Sequence, residues 1–341
     1  MHSVIDIKDL NVHFETRQGL VRAVNGVTFS IPAGKTVCLV GESGSGKSIT
    51  ARALLQIVPK PGKITSGEIV LHHDGKTTNI TKLEPRGSEI RKIRGSEIAM
   101  IFQEPMTSLS PLYTVGNQIS EAILLHNKVS KKEARDRAIE LLKRVGIPRA
   151  EQRVDEYPFR LSGGMRQRVM IAMALSCNPK ALIADEPTTA LDVTTQSQIL
   201  DLMRELQEER GMAILFITHD LGVVAEMADD VAVMYLGNTA EFGSVDDIFN
   251  NPKHPYTQAL LSSIPKVGAE RGDLVSIKGM VPSPYRRPSG CPFHTRCAEF
   301  IEGVCDTVEP AAISFSDDHV ARCHLYNNAG QVANKEQGRH V

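Results

Sequence analysis

The sequence predicts an α/β protein whose core is a parallel sheet. Three observations carry this. Residues 36–40 (TVCLV), 181–185 (ALIAD) and 213–218 are short, continuously apolar runs, as strands buried on both faces require. Residues 131–145 (KKEARDRAIELLKRV) and 194–210 repeat apolar side chains at helical spacing against a charged face. A Gly-rich loop at residues 41–48 separates the first of those strands from a helix-like stretch at 48–57.

Taken in order, residues 4–7, 12–15 and 21–30 have strand composition, divided by the turn signals Arg17-Gln18-Gly19 and Pro32-Ala33-Gly34. Further strands are expected at 68–72 and 98–102. From Met106 to Cys177 the pattern turns mainly helical, a block inserted between two core strands, and 231–236 is a late strand. After about residue 250, Pro252, Pro255, Pro265, Pro282, Pro284 and Pro288 punctuate a stretch of little periodicity, which places a boundary there. The polar tail from Asn327 is expected to be disordered. No internal repeat occurs.

Composition narrows the classes of function. The formal net charge of −1 leaves no basic excess for a nucleic-acid partner. No apolar run is long enough to span a bilayer, and the N-terminus lacks the basic-then-apolar layout of a signal peptide. The expectation is a cytoplasmic chain that reaches a membrane only through partners. Of six cysteines, Cys38 and Cys177 sit in apolar runs and read as small buried hydrophobes, whereas Cys291, Cys297, Cys305 and Cys323 crowd the C-terminal part.

Gly41-Glu42-Ser43-Gly44-Ser45-Gly46-Lys47-Ser48 matches the phosphate-binding loop pattern in its proper strand–loop–helix context. The glycines let backbone N–H groups approach phosphates, Lys47 can reach the β- and γ-phosphates, and Ser48 can ligate Mg²⁺. The run 181–186 is apolar up to its two final carboxylates, Asp185 and Glu186, a Mg²⁺ partner and a group placed to polarise an attacking water. Leu161-Ser162-Gly163-Gly164-Met165 before a helix-like stretch offers a second anion-binding N-terminus, with Ser162, Gly163 and Gly164 at its tip. His219, directly after the strand 213–218, stands where it could meet a γ-phosphate.

In these motifs and their order, residues 1–250 resemble the nucleotide-binding domain of ATP-binding-cassette (ABC) transporters. The resemblance also includes a D-loop (Ala190-Leu191-Asp192) and a Q-loop glutamine, Gln103, which it implies contacts Mg²⁺ and senses a transmembrane partner. It implies a P-loop α/β domain with an inserted helical subdomain at about 106–177, head-to-tail dimers, and ATP held between Gly41–Ser48 of one subunit and the signature of the other. Phe14 aligns with the family's adenine-stacking aromatic, though a core Phe in an edge strand is the competing reading. Met165 replaces the usual signature Gln and removes a hydrogen-bonding group, which fits a heterodimer with a second, non-identical ATPase.

Pro105-Met106-Thr107-Ser108-Leu109-Ser110-Pro111 and the segment Asn251-Pro252-Lys253-His254-Pro255-Tyr256-Thr257-Gln258-Ala259-Leu260-Leu261 resemble the dipeptide/oligopeptide importer subfamily, as does the cysteine-containing extension at 251–326. The resemblance implies peptide uptake, two transmembrane permeases, an extracytoplasmic solute-binding protein, and a peripheral position on the cytoplasmic face of the inner membrane. Nickel or glutathione uptake by the same machinery, and a soluble ABC ATPase of DNA repair or translation, are the alternatives. The spacing of Cys291, Cys297, Cys305 and Cys323 fits no familiar finger or ferredoxin pattern, and four thiolates suit either tetrahedral Zn²⁺ or an iron–sulfur cluster. The resemblance implies a [4Fe–4S] cluster, with His294 and His324 as spare ligands; free thiols in a small cap are the plain alternative.

Overall fold

The computed structural model describes residues 2–73, 75–104, 108–189, 191–264 and 277–326. The expected disordered tail, Pro265, residues 105–107 and Ala190 lie outside the described residues. The strands are β1 (Ser3–Thr16), β2 (Gly19–Pro32), β3 (Thr36–Val40), β4 (Gly62–His73), β5 (Lys76–Asn79), β6 (Ile98–Ile101), β7 (Ala181–Asp185), β8 (Ala213–Ile217), β9 (Asp230–Tyr235), β10 (Asn238–Ser244), β11 (Ile313–Ser314) and β12 (Val320–Ala321). The helices are α1 (Lys47–Leu54), α2 (Ser88–Ile93), α3 (Val115–His126), α4 (Lys131–Arg144), α5 (Ala150–Arg153), α6 (Gly163–Leu175), α7 (Val193–Arg210), α8 (Leu221–Met227), α9 (Val245–Asn250) and α10 (Pro255–Ser262). Two compact units interleave along the chain: Met1–Ile5, Ser30–Thr36 and Val70–Ile217 form the first, and Asp6–Phe29, Val37–Ile69 and Thr218–Val341 the second.

In the first unit β6, β7 and β8 pair in parallel, from Ile98 against Ala181 and Ala181 against Ala213. Every residue of the three strands is buried, which explains why their sequences are apolar throughout except for Asp185 at the end of β7. Helix α4 starts where the Ser130 hydroxyl accepts from the Glu133 N–H and buries Ala134, Ala138 and Leu142, one stripe at four-residue spacing. It packs with α3 and α6. Helix α7 runs between an Asp192 cap and a left-handed Gly211.

In the second unit β3 pairs in parallel with β9, and β10 turns back antiparallel along β9. The strand pattern read from sequence ended at 236; β10 escaped it because Asn238, Thr239 and Glu241 are polar yet buried. β12 extends this sheet from the far C-terminal part, Glu241 opposite Ala321. The two N-terminal strands expected at 4–7 and 12–15 form one strand. Between them Asp9 takes a left-handed φ of 48°, and its N–H donates to the Thr28 hydroxyl at 2.9 Å. A polar residue in a left-handed conformation broke the alternation without ending the strand.

A buried carboxylate ties the C-terminal part together. Glu241 accepts from the Lys253 and His254 N–H groups at 2.7 and 2.9 Å and meets His319 Nε2 at 2.8 Å. Burial drives the His254 pKa down to about 4, and its neutral Nδ1 accepts from the Tyr256 N–H, capping α10.

Candidate nucleotide-binding and hydrolysis site

The second unit holds the phosphate loop. Its N-terminal limb is fixed by the fully buried β3 and its C-terminal limb opens α1. At Gly41 a Cβ would run into the Met234 carbonyl, and at Gly46, with φ 102°, into that of Ala23, so the backbone path requires glycine at both. Ser43 and Gly44 form the exposed crest. Lys47 is buried and donates to the Gly41 and Glu42 carbonyls at 2.6 and 3.0 Å and to the Ser45 hydroxyl at 3.3 Å. The first turn of α1, where Ser48 sits, carries no acidic residue, so its partial positive charge is not offset by one there. Phe14, half-buried in β1, lays its ring against Gly62, where any Cβ would sit 2.6 Å from ring carbons. His219 is exposed between Thr218 and Asp220; the Asp220 carboxylate caps α8 and fixes the chain on its far side.

The first unit holds the carboxylates and the signature. Asp185 ends β7 almost fully buried. Glu186 follows with φ 48°, a conformation that costs a non-glycine residue about 1–2 kcal/mol. Its N–H donates to the Ile217 carbonyl at 2.9 Å. Its Oε2 accepts from Gln103 Nε2 and from the Thr189 hydroxyl, each at 3.0 Å. Gln103 and Glu186, proposed from separate motifs, thus touch. Ser162 caps α6, its hydroxyl accepting from the Met165 N–H at 3.3 Å, and Gly163 and Gly164 start a helix with no acid in its first turn. Gln167, buried in α6, donates to the Pro187 carbonyl at 2.5 Å and joins the signature helix to the turn after Glu186. Asp192 is a helix cap, its carboxyl pKa held down by the Thr195 N–H and hydroxyl. Sequence motifs gave no sign of Thr189 or Gln167.

The [4Fe–4S] expectation is corrected by the C-terminal segment. Among the described residues no three His, Cys, Asp or Glu side chains are grouped so as to hold a metal ion. Cys291, Cys305 and Cys323 are buried and Cys297 half-buried. Burial above all pushes the thiols up, Cys291 and Cys297 to about 11 and Cys323 to about 12, with their mutual repulsion a smaller cause; Cys305 rises too. The spare imidazoles are engaged elsewhere, His294 Nδ1 with the Cys291 carbonyl and His324 Nε2 with that of Val308. The donor set does not fit the cluster, and the iron–sulfur and metal-binding assignment of these cysteines is withdrawn.

Comparison with known proteins bears on the rest. The ABC transporter family matches residues 24–189, and the oligopeptide/dipeptide transporter C-terminal region matches 240–305. The chain is 51% identical over 331 residues to the oligopeptide transport ATP-binding protein AppD of Bacillus subtilis, covering 97% of this chain and 99% of that one. It is 47% identical over 334 residues to the dipeptide transport ATP-binding protein DppD of the same organism, covering 98% of each. Among solved structures, the dimeric MJ0796 bacterial ABC transporter cassette superposes with a TM-score of 0.63 at 30% identity, over 71% of this chain and 98% of that one.

Proposed function

We propose a function from one premise: the chain belongs to the ABC transporter ATPase family, in its oligopeptide/dipeptide branch. It has the ABC ATPase cassette fold and is the ATP-binding, ATP-hydrolysing subunit of an importer, coupling hydrolysis to uptake of dipeptides or oligopeptides. The peptide substrates named for its relatives favour this over nickel, glutathione or a role in DNA repair or translation. The cassette occupies residues 1–250 with a helical subdomain at about 106–177, and residues 251–326 form the C-terminal domain. Its partners are two transmembrane permeases, an extracytoplasmic solute-binding protein and a second ABC ATPase in a heterodimer, at the cytoplasmic face of the inner membrane.

The observation that carries hydrolysis is the held carboxylate of Glu186, with hydrogen bonds from Gln103 and Thr189. A carboxylate so oriented takes a proton from the attacking water. In the cycle, Ser43, Gly44 and Gly46 offer backbone to the phosphates, and Lys47 exchanges the Gly41 and Glu42 carbonyls for phosphate oxygens. Phe14 stacks on adenine, and His219 contacts the γ-phosphate. Ser162, Gly163 and Gly164 face the nucleotide of the partner ATPase. A hydroxyl, an amide and one buried carboxylate suit Mg²⁺, a hard cation that takes few protein ligands beside phosphate oxygens, so Ser48, Gln103 and Asp185 would hold it. Bound there, Mg²⁺ would neutralise charge on the transferring phosphoryl group.

Glu186→Gln tests this in the transporter reconstituted with its permeases. ATP binding should persist while turnover falls by about 100-fold or more, the scale of a lost general base. Turnover near that of the unaltered protein would remove Glu186 from this role.

A further inference from the structure

The C-terminal segment reaches back to the phosphate loop through one side chain. Arg296 closes a short turn, His294–Arg296, with its side chain 3% exposed. Its guanidinium grips the Glu42 carboxylate with both arms, at 2.6 and 3.0 Å. Two further donors are used: Nε donates to the Lys278 carbonyl at 3.1 Å and one terminal nitrogen to the Tyr235 hydroxyl at 3.3 Å. The Tyr235 and Phe293 rings lie 5.9 and 6.0 Å from the guanidinium carbon. Tyr256, fully buried and packed on both rings, accepts the Glu42 N–H at 2.8 Å. Glu42 is thereby held at its backbone and at its carboxylate by residues of the C-terminal segment or its aromatic bed. Its carbonyl meanwhile receives Lys47 Nζ and the Ser45 N–H.

We propose that Arg296 is a positioning residue for ATP, which fixes the phosphate loop and cancels the one carboxylate that loop carries. The inference rests on the reading of residues 41–48 as the triphosphate site. A carboxylate there opposes an incoming polyanion, and a planar, bidentate guanidinium removes that opposition. The cassette's phosphate affinity is thus set partly by a residue outside the cassette motifs, 254 positions away from its partner in sequence. Arg296 touches no reacting atom and acts through Glu42.

The test is ATP affinity of the full chain with Mg²⁺, measured by titration calorimetry for the unaltered protein, Arg296→Met, Glu42→Gln and the double variant. Arg296→Met exposes the carboxylate to the nucleotide and should bind ATP about tenfold more weakly. Glu42→Gln, which leaves an unopposed cation, should bind at least as tightly as the unaltered protein. The double variant should return to within about threefold of it. A clamp that were merely structural would weaken binding in both single variants. Unchanged affinity in Arg296→Met, or a matching loss in Glu42→Gln, overturns the proposal. If Arg296→Met does not fold, the other two decide: both about tenfold weaker overturns it, and both near the unaltered value upholds it. An unaltered chain that binds no ATP would instead overturn the triphosphate-site reading itself.

Discussion

At the scale of single residues, the backbone of the phosphate loop is decided by what a methyl group would strike. A Cβ at Gly46 would meet the Ala23 carbonyl, whereas at Gly44, with φ 78°, nothing lies within 4 Å. Gly44→Ala therefore carries only the cost of its left-handed backbone, about 1–2 kcal/mol, while Gly46→Ala adds a collision with main chain that cannot move aside. Thermal denaturation and ATP titration of the two should show the larger loss of both stability and affinity in Gly46→Ala. Equal losses would mean that conformation alone, and not the close approach, selects glycine there. These glycines were legible in the sequence because the motif is contiguous. Glu186 was legible by its place after Asp185, but its left-handed φ and its hydrogen bonds to Gln103 and Thr189 were not, since they depend on where residue 103 is carried by β6.

At the scale of elements, sequence pattern recovered what periodicity encodes and missed what burial decides. The strands β3, β7 and β8 and the helices α4 and α7 were readable because each is buried on both faces or along one stripe. The cysteine segment misled because thiol spacing does not say whether donor side chains come together, and among the described residues they form no metal-holding group; burial there also favours the neutral thiol. This sets a pH dependence with a definite sign. The thiol pKa values are raised in the folded chain, to about 11 at Cys291 and Cys297 and about 12 at Cys323. Unfolded thiols ionise near about 8.5, so above that value the unfolded chain has released protons the folded chain still binds. Stability attributable to them is fully present below about pH 8.5 and declines as pH rises towards the folded values. Denaturant midpoints followed from neutral to alkaline pH should fall less steeply in Cys323→Ala than in the unaltered chain. Identical slopes would show that this thiol ionises as readily folded as unfolded.

At the scale of the whole molecule, the motifs are shared between the two units. Residues 41–48 and His219 belong to one, and Gln103, the signature, Asp185 and Glu186 to the other. Motif order could be read from sequence, but the partition could not, because each unit is assembled from three separated stretches of chain. The same distance in sequence hid the Arg296–Glu42 pair, for which neither Thr295-Arg296-Cys297 nor the loop motif carries any local sign. Among the described residues no helix is long and apolar enough to cross a membrane. The longest, α7, spans 18 residues but has the sequence VTTQSQILDLMRELQEER, too charged to lie in hydrocarbon. On the reading proposed above, protein contacts hold this subunit at the bilayer, and denaturant breaks such contacts but does not extract apolar helices buried in lipid. A urea wash of membranes carrying the assembled transporter should release this chain to the supernatant and leave the permeases in the pellet. Retention of the chain beside the permeases would show that it has its own hold on the lipid, and would remove the peripheral assignment.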